Sequence, residues 1–163
     1  MASALTIRDF ASADADAVNC LAVAAFAPFA PHYSDWPAMA ANLAKMSALA
    51  ASGEIVVAEA DGRVAGAVAY VPPGAPKAAF FDAAWPIIRM LVVDPVSRGN
   101  GIGRALTAEC LARAKRDDAK VIALHTSPIM TVALPMYLRM GFAKLSDAPP
   151  ILGVEYAVYT KML

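Results

Sequence analysis

Cysteine is nearly missing from this chain. Its 163 residues hold two, Cys20 and Cys110, both in stretches with helical spacing. Two cysteines do not make the disulfide framework of a small secreted scaffold. Both are expected to be small buried hydrophobes in a reducing compartment. Histidine is as scarce, with two residues, and no Cys/His group has zinc spacing, so no metal is expected. Neither sign of charge is in excess, since 14 Lys and Arg stand against 14 Asp and Glu. With no basic tail or charge block, nothing favours nucleic acid or an anionic membrane as partner. The longest apolar run, Cys20–Pro31, falls short of a bilayer span and contains two prolines. No apolar leader precedes Arg8 and Asp9, so a secretory signal is not expected. What is left is a cytoplasmic protein whose length suits one domain, residues 1–163.

The stretch that organises the chain is Ile87 to Leu106, IIRMLVVDPVSRGNGIGRAL. Ile87–Val93 is a dense, β-branched apolar run and reads as a buried strand. Asp94-Pro95 stops it, because proline has no amide to donate. Then come three glycines, Gly99, Gly101 and Gly103, and then Ile102, Leu106, Cys110 and Ala114 at helical i+4 steps. Strand, glycine turn and helix N-terminus together make an anion site. Glycine lets the backbone approach a ligand, and the first helical amides have no partner of their own. Arg98 and Arg104 add positive charge at its two ends. A pyrophosphate would fit.

Spacing separates the families that use this physics. A Walker phosphate loop needs Lys and then Ser or Thr after its last glycine, whereas Gly103 is followed by Arg104 and Ala105. A Rossmann fingerprint needs Gly or Ala three residues after its second glycine. Here that place is Arg104 or Leu106, depending on the starting glycine. The pattern Arg or Gln, two residues, Gly, one residue, Gly or Ala is met by Arg98, Gly101 and Gly103. The stretch resembles the acyl-CoA motif of the GNAT superfamily of N-acyltransferases. MYLRMGF, Met136–Phe142, resembles the same family's Tyr, three residues, Gly-Phe signature, with Tyr137 as its tyrosine.

Around this centre the chain reads in order as follows. Leu5–Arg8 is a strand. A helix runs to about Ala27 with Val18, Leu21, Ala22 and Ala25 inward. A second, capped by Asp35, runs to about Ala51. Glu54–Ala60 and Arg63–Val71 form a hairpin through Asp61-Gly62, a strong two-residue turn signal. A loop from Pro72 to Trp85 leads into the central strand and helix, on which Glu109 and Arg113 form an exposed i,i+4 pair. Val121–Thr126 is a strand. A helix between Met130 and Met140 has Met130, Leu134 and Leu138 on one face. Phe142–Leu145 and Val154–Thr160 are strands separated by a DAPP turn. The order β-α-α-β-β-β-α-β-α-β-β is that of the GNAT fold, an α/β (α+β) mixed sheet with a splayed central parallel pair.

What the resemblance implies is an enzyme, an acetyl-CoA-dependent N-acetyltransferase acting by direct attack on a primary amine, with a small molecule as the expected acceptor. The pyrophosphate would lie on the amides of Arg98, Gly99, Asn100, Gly101, Ile102, Gly103 and Arg104. The pantetheine arm would run beside Leu91, Val92 and Val93 as a pseudo-strand, with the Val92 amide polarising the thioester. Tyr137 would protonate the departing thiolate. Met130 stands where relatives often carry Asn. The central strand offers Arg89 and no acid before Asp94, so His125, which titrates near neutrality when unperturbed, is the candidate base. Glu59, Asp82 and Glu155 are further acids without position evidence. His32, Tyr33, Trp36, Phe80, Phe81 and Trp85 are expected around the acceptor. Other readings are a CoA-binding module without catalysis and a peptide or protein N-terminal acetyltransferase. A homodimer is open, since dimers are common among proteins this one resembles.

Overall fold

The computed structural model describes residues 4–163. The described residues form a seven-stranded sheet: β1 (Leu5–Asp9), β2 (Glu54–Ala60), β3 (Arg63–Val71), β4 (Ile87–Val93), β5 (Val121–Thr126), β6 (Ala143–Ile151) and β7 (Val154–Met162). Its order is β1-β2-β3-β4-β5-β7-β6. The helices are α1 (Ala15–Phe26), α2 (Trp36–Leu43), α3 (Ile102–Arg116) and α4 (Ala133–Arg139). The element order is the one expected.

Alternation along the central strands divides the core in two. Val56, Ala58, Val68 and Tyr70 point to the face covered by Ile102, Leu106, Cys110 and Ala114 of α3. Ile55, Val57, Ala67 and Ala69 point to the other, covered by Val18, Leu21, Ala22 and Ala25 of α1 and by Met39 and Leu43 of α2. Burial on both faces explains why β2 and β3 read as unbroken apolar runs. Gly66 permits the close approach of α3. A Cβ there would stand 2.7 Å from the Ile102 side chain and 3.2 Å from the Val92 carbonyl oxygen.

The Asp61-Gly62 turn forms as expected, with φ of 53° and 73°. Asp35 caps α2 by accepting from the Ala38 amide at 3.1 Å. Elsewhere the structure departs from the pattern. α2 ends at Leu43, and Met46–Ala51 is a separate 3-10 turn. Leu138 is half exposed, whereas Tyr137 is buried and takes the inward place on α4. DAPP is part of β6. That strand lies at the sheet edge and is irregular around Pro149 and Pro150, where missing amides are tolerated. The turn is instead Leu152-Gly153, with φ of 45° and 83°. Cys20 is exposed, not buried, and both cysteines are free. Arg113 is not half of a simple surface pair. It bridges Asp9, Glu54 and Glu109 with its side chain 12% exposed. The helical stretch Ser12–His32, 21 residues with mean hydropathy 1.3, is long and apolar enough to cross a membrane by length and composition. The run Cys20–Pro31 alone did not reveal this.

Candidate active site

β4 and β5 are parallel neighbours joined by a single register pair, Ile87 with Ala123. Beyond it they separate, and their facing edges have no strand partner. Unpaired backbone groups inside a sheet need something to bond. The separation coincides with a bulge in β4. Ala67 pairs with Val92 and Ala69 with Arg89, so β4 carries one extra residue. Met90 sits there with φ of 55°, a left-handed conformation uncommon for a residue with a side chain.

The glycine turn stands at the head of this gap. Gly99 and Gly101 have φ of 84° and 75°, and a Cβ on either would meet nothing within 4 Å. The backbone is therefore open to an approaching ligand. Gly101 precedes the first residue of α3, so the free helical amides face the same space. Gly103 brings turn and strand together: its Cβ position lies 3.7 Å from both Leu91 and Val93. The Ile102 side chain is buried in the core, leaving only its amide for a ligand. The Asn100 side chain donates to the Ser97 carbonyl at 3.0 Å and shapes the turn. Arg98 is partly committed, because it donates to the Ala25 carbonyl at 2.8 Å and ties the turn to α1.

Strand alternation corrects one expectation. The Asp94 amide donates to the Ala65 carbonyl of β3 at 2.9 Å. In an antiparallel ladder alternate amides face the same way. The Val92 amide is therefore turned to β3, while that of Val93 faces the open edge. The Val92 side chain is buried on the α1 side of the sheet. A thioester in the gap would meet amides around the bulge instead.

Below the gap lies a cleft of about 590 Å³. Leu91, Tyr137, Met130, His125 and Thr126 line it, as do Phe26, Met46, Leu49 and Tyr156 from around the first helices and β7. Tyr137 is brought in by α4, whose first turn contains Pro135 where no intrahelical donor is needed. Its ring packs edge-on against Phe142 at 5.7 Å. Its hydroxyl has no hydrogen-bond partner among the described residues and is not sealed from solvent. Burial pushes the phenol above its ordinary range, with a smaller push from Cys110. It therefore keeps its proton at neutral pH.

His125 is enclosed by rings: Tyr156 at 5.1 Å, Phe80 at 5.4 Å and Phe81 at 5.8 Å. Burial, and then the charge of Arg89, push its pKa down to about 4. It is neutral at pH 7 and weakly basic. Phe80 and Phe81 thus act behind His125. Among the six aromatic-segment residues expected around the acceptor, none lines the cleft itself. Tyr33 reaches it at second hand, its hydroxyl 2.6 Å from that of Tyr156. The further acids are elsewhere. Glu59 accepts from Arg8 at 2.7 Å, Asp82 accepts from the Ala84 amide at 2.9 Å, and Glu155 is exposed on β7. Phe26 and Tyr156 were missed because nothing local marks them. Only the packing of α1 and β7 across the sheet carries them to the cleft.

Comparison with known proteins agrees with this geometry. The model of the acetyltransferase (GNAT) family matches residues 18–142. A mycothiol acetyltransferase from Cellulomonas flavigena is 39% identical over 96 residues, which are 55% of this chain and 26% of that protein. The chain therefore spans about a quarter of the length of that relative. Among solved structures, a GCN5-related N-acetyltransferase from Rhodopseudomonas palustris superimposes with a TM-score of 0.78 at 21% identity, over 100% of this chain and 99% of the other. The yncA protein of Salmonella typhimurium, solved with its cofactor acetyl-CoA, gives 0.70 at 19% identity over 99% and 95%. These two likenesses concern the fold. With a family match that covers most of the chain and contains the glycine turn, the open strand pair and Tyr137, this chain belongs to the GNAT family of acetyltransferases.

Proposed function

We propose that this protein is a cytoplasmic, single-domain N-acetyltransferase that moves an acetyl group from acetyl-CoA to the primary amine of a small molecule by direct attack. The observation that carries the reading is the open β4–β5 edge with the glycine turn at its head. The turn offers amides to a diphosphate, and the strand edges offer bonds to an amide-bearing arm. The Cellulomonas flavigena relative is a mycothiol acetyltransferase, which favours a small-molecule acceptor.

Acetyl-CoA supplies the activated acyl group. The amides of Arg98 to Arg104 hold its diphosphate, the backbone of Leu91 and Val93 holds its arm, and amides at the Met90 bulge face the carbonyl oxygen as it gains charge. Holding the two reactants together accounts for much of the rate, about 7 kcal/mol or more in well-oriented cases. Tyr137 then meets the departing sulfur. Its pKa lies above the thiol's ordinary value of about 8.5, so complete proton transfer from it is uphill. Its contribution is a hydrogen bond that strengthens as charge develops on sulfur, and the released thiolate takes its proton from solvent. The charged residues lining the cleft are Arg89 and Lys45, with no carboxylate. The acceptor amine therefore loses its proton to water, with His125 as a neutral acceptor in the chain of hydrogen bonds.

The test is release of free CoA thiol from acetyl-CoA across a panel of small amines. Amine-dependent release with a stoichiometric N-acetyl product is expected. Tight CoA binding with no turnover on any amine would leave a binding module, and turnover confined to peptides would point to an N-terminal acetyltransferase.

A further inference from the structure

The acceptor cleft is one-signed. Arg89 on β4 and Lys45, which follows α2, both line it, and no Asp or Glu does. Among the described residues neither side chain has an ion-pair or hydrogen-bond partner. Other cations without a carboxylate partner, such as Lys115 and Lys120, do not line the cleft, so the free charge within it comes from these two alone. Two unpaired cations, both exposed at the surface of a cleft that has no acid, suit an anion.

CoA does not use them for its diphosphate. Arg89 lies four residues before Val93 on β4. At about 3.3 Å of rise per residue, that places it roughly 13 Å down the strand from the end at which the glycine turn begins. It stands beyond the Met90 bulge, on the acceptor side. The field of Arg89 is felt in that space, since it contributes to the lowered pKa of His125. A plain alkylamine enters as a cation and would meet like charge there, a destabilising contact. An amine carrying its own anion would not.

We propose that Arg89, assisted by Lys45, is the acceptor-recognition residue, and that the acceptor is a small primary amine that also bears an anionic group, of the amino-acid type. This rests on the acetyltransferase reading and narrows it. A guanidinium suits a carboxylate because its planar donors match two oxygens at once. Phe26, Leu49 and Tyr156 leave an apolar wall for the remainder of the molecule.

The experiment uses the whole protein with CoA bound. Alanine, methionine and phenylalanine are compared with their carboxamides and with the matching aminophosphonates. Two readouts are taken, acetyl transfer and binding by calorimetry. The wild type should favour each acid over its amide by about ten- to a hundred-fold in kcat/KM, the usual worth of a hydrogen bond to a charged group. Arg89→Gln should erase that ratio, acting through KM. Arg89→Lys should restore part of it, and Lys45→Gln should reduce it less. Preference for phosphonate over carboxylate would identify the anion as a phosphorus oxyacid and support the same residue. Equal use of acid and amide by the wild type, or an acid preference that survives Arg89→Gln, would overturn the proposal while leaving the acetyltransferase reading intact. Acid-selective binding lost in Arg89→Gln without any transfer would support the recognition role and count against the enzyme.

Discussion

At the scale of single residues, Tyr137 and His125 have opposite electrostatic fates in one cleft. Both are perturbed first by burial. Burial holds the proton on the phenol and keeps it off the imidazole, because in each case the neutral form is favoured. Tyr137→Phe preserves the ring and its contact with Phe142 but removes the donor. Steady-state kinetics should show kcat lower by about two to three orders of magnitude with KM for acetyl-CoA little changed, the usual range for losing one hydrogen-bond donor to a developing anion. A variant that keeps more than about half of wild-type kcat, with chemistry limiting, would show that the tyrosine only packs. His125 makes a different prediction. Its folded pKa of about 4 lies below the ordinary value of 6.5, so its neutral form stabilises the fold. That contribution is complete above about pH 6.5 and is lost as pH falls through 4. The difference corresponds to on the order of 3 kcal/mol. Thermal melts from pH 7 to pH 4 should show the wild type losing stability across this window and His125→Gln losing clearly less. The identity of Tyr137 was legible from the Gly-Phe that follows it. The depressed histidine was not, because its cause is three rings and an arginine supplied by the Pro72–Trp85 loop, β7 and β4. Arg89 was visible in the sequence only as the place where an acid was missing. Its meaning came from the lack of any partner in the cleft.

At the scale of elements, the glycine turn and the bulged strand together border the open edge of β4. Gly101 has positive φ, but a Cβ there meets no atom within 4 Å. Gly101→Ala should therefore cost about 1 kcal/mol of stability through backbone conformation alone. Gly101→Asp should fold comparably and lose CoA affinity by two orders of magnitude or more, since a carboxylate would stand where the diphosphate binds. Calorimetry against CoA separates the two effects, and unchanged affinity in a folded Asp variant would remove the turn from the site. Met90 carries the matching strain in β4. Met90→Gly should change stability little, because the relief at φ of 55° offsets the packing lost against the α1-side core, whereas Met90→Val should destabilise by about 1–2 kcal/mol. Denaturant midpoints would check both. The strands Glu54–Ala60, Arg63–Val71 and Ile87–Val93 could be bounded from sequence because turn residues flank them: Asp61-Gly62, Pro72-Pro73 and Asp94-Pro95. The bulge could not, since nothing in IIRMLVV names the residue that leaves the ladder. The prolines of β6 misled for the opposite reason. They look like a turn, but at the sheet edge the sheet does not need their amides.

At the scale of the whole molecule, the cleft is assembled from both halves of the chain, and this makes ligand binding a stability measurement. α1 and the 3-10 turn after α2 supply Phe26, Met46 and Leu49, the central strands supply Leu91 and Arg89, and the C-terminal half supplies Tyr137 and Tyr156. The gap between β4 and β5 is held shut at one end only, at Ile87 and Ala123. An arm lying in it would bond to both strands and join the two parts of the sheet. A ligand that binds only the folded state stabilises it by mass action, by about 2.7 kcal/mol at a hundred times its dissociation constant. For a chain of this length that corresponds to a rise of roughly 5–11 °C in Tm. Acetyl-CoA should produce such a shift. NAD and ATP at the same concentration should produce much less, because each offers a diphosphate to the turn but no arm to fill the open edges. Desulfo-CoA, which keeps diphosphate and arm but lacks the sulfur that Tyr137 is proposed to meet, should shift Tm nearly as far. Equal shifts from NAD and acetyl-CoA would mean that the glycine turn alone binds. The open strand pair would then have no part in recognition, and the positions assigned here to Leu91 and Val93 would have to be given up.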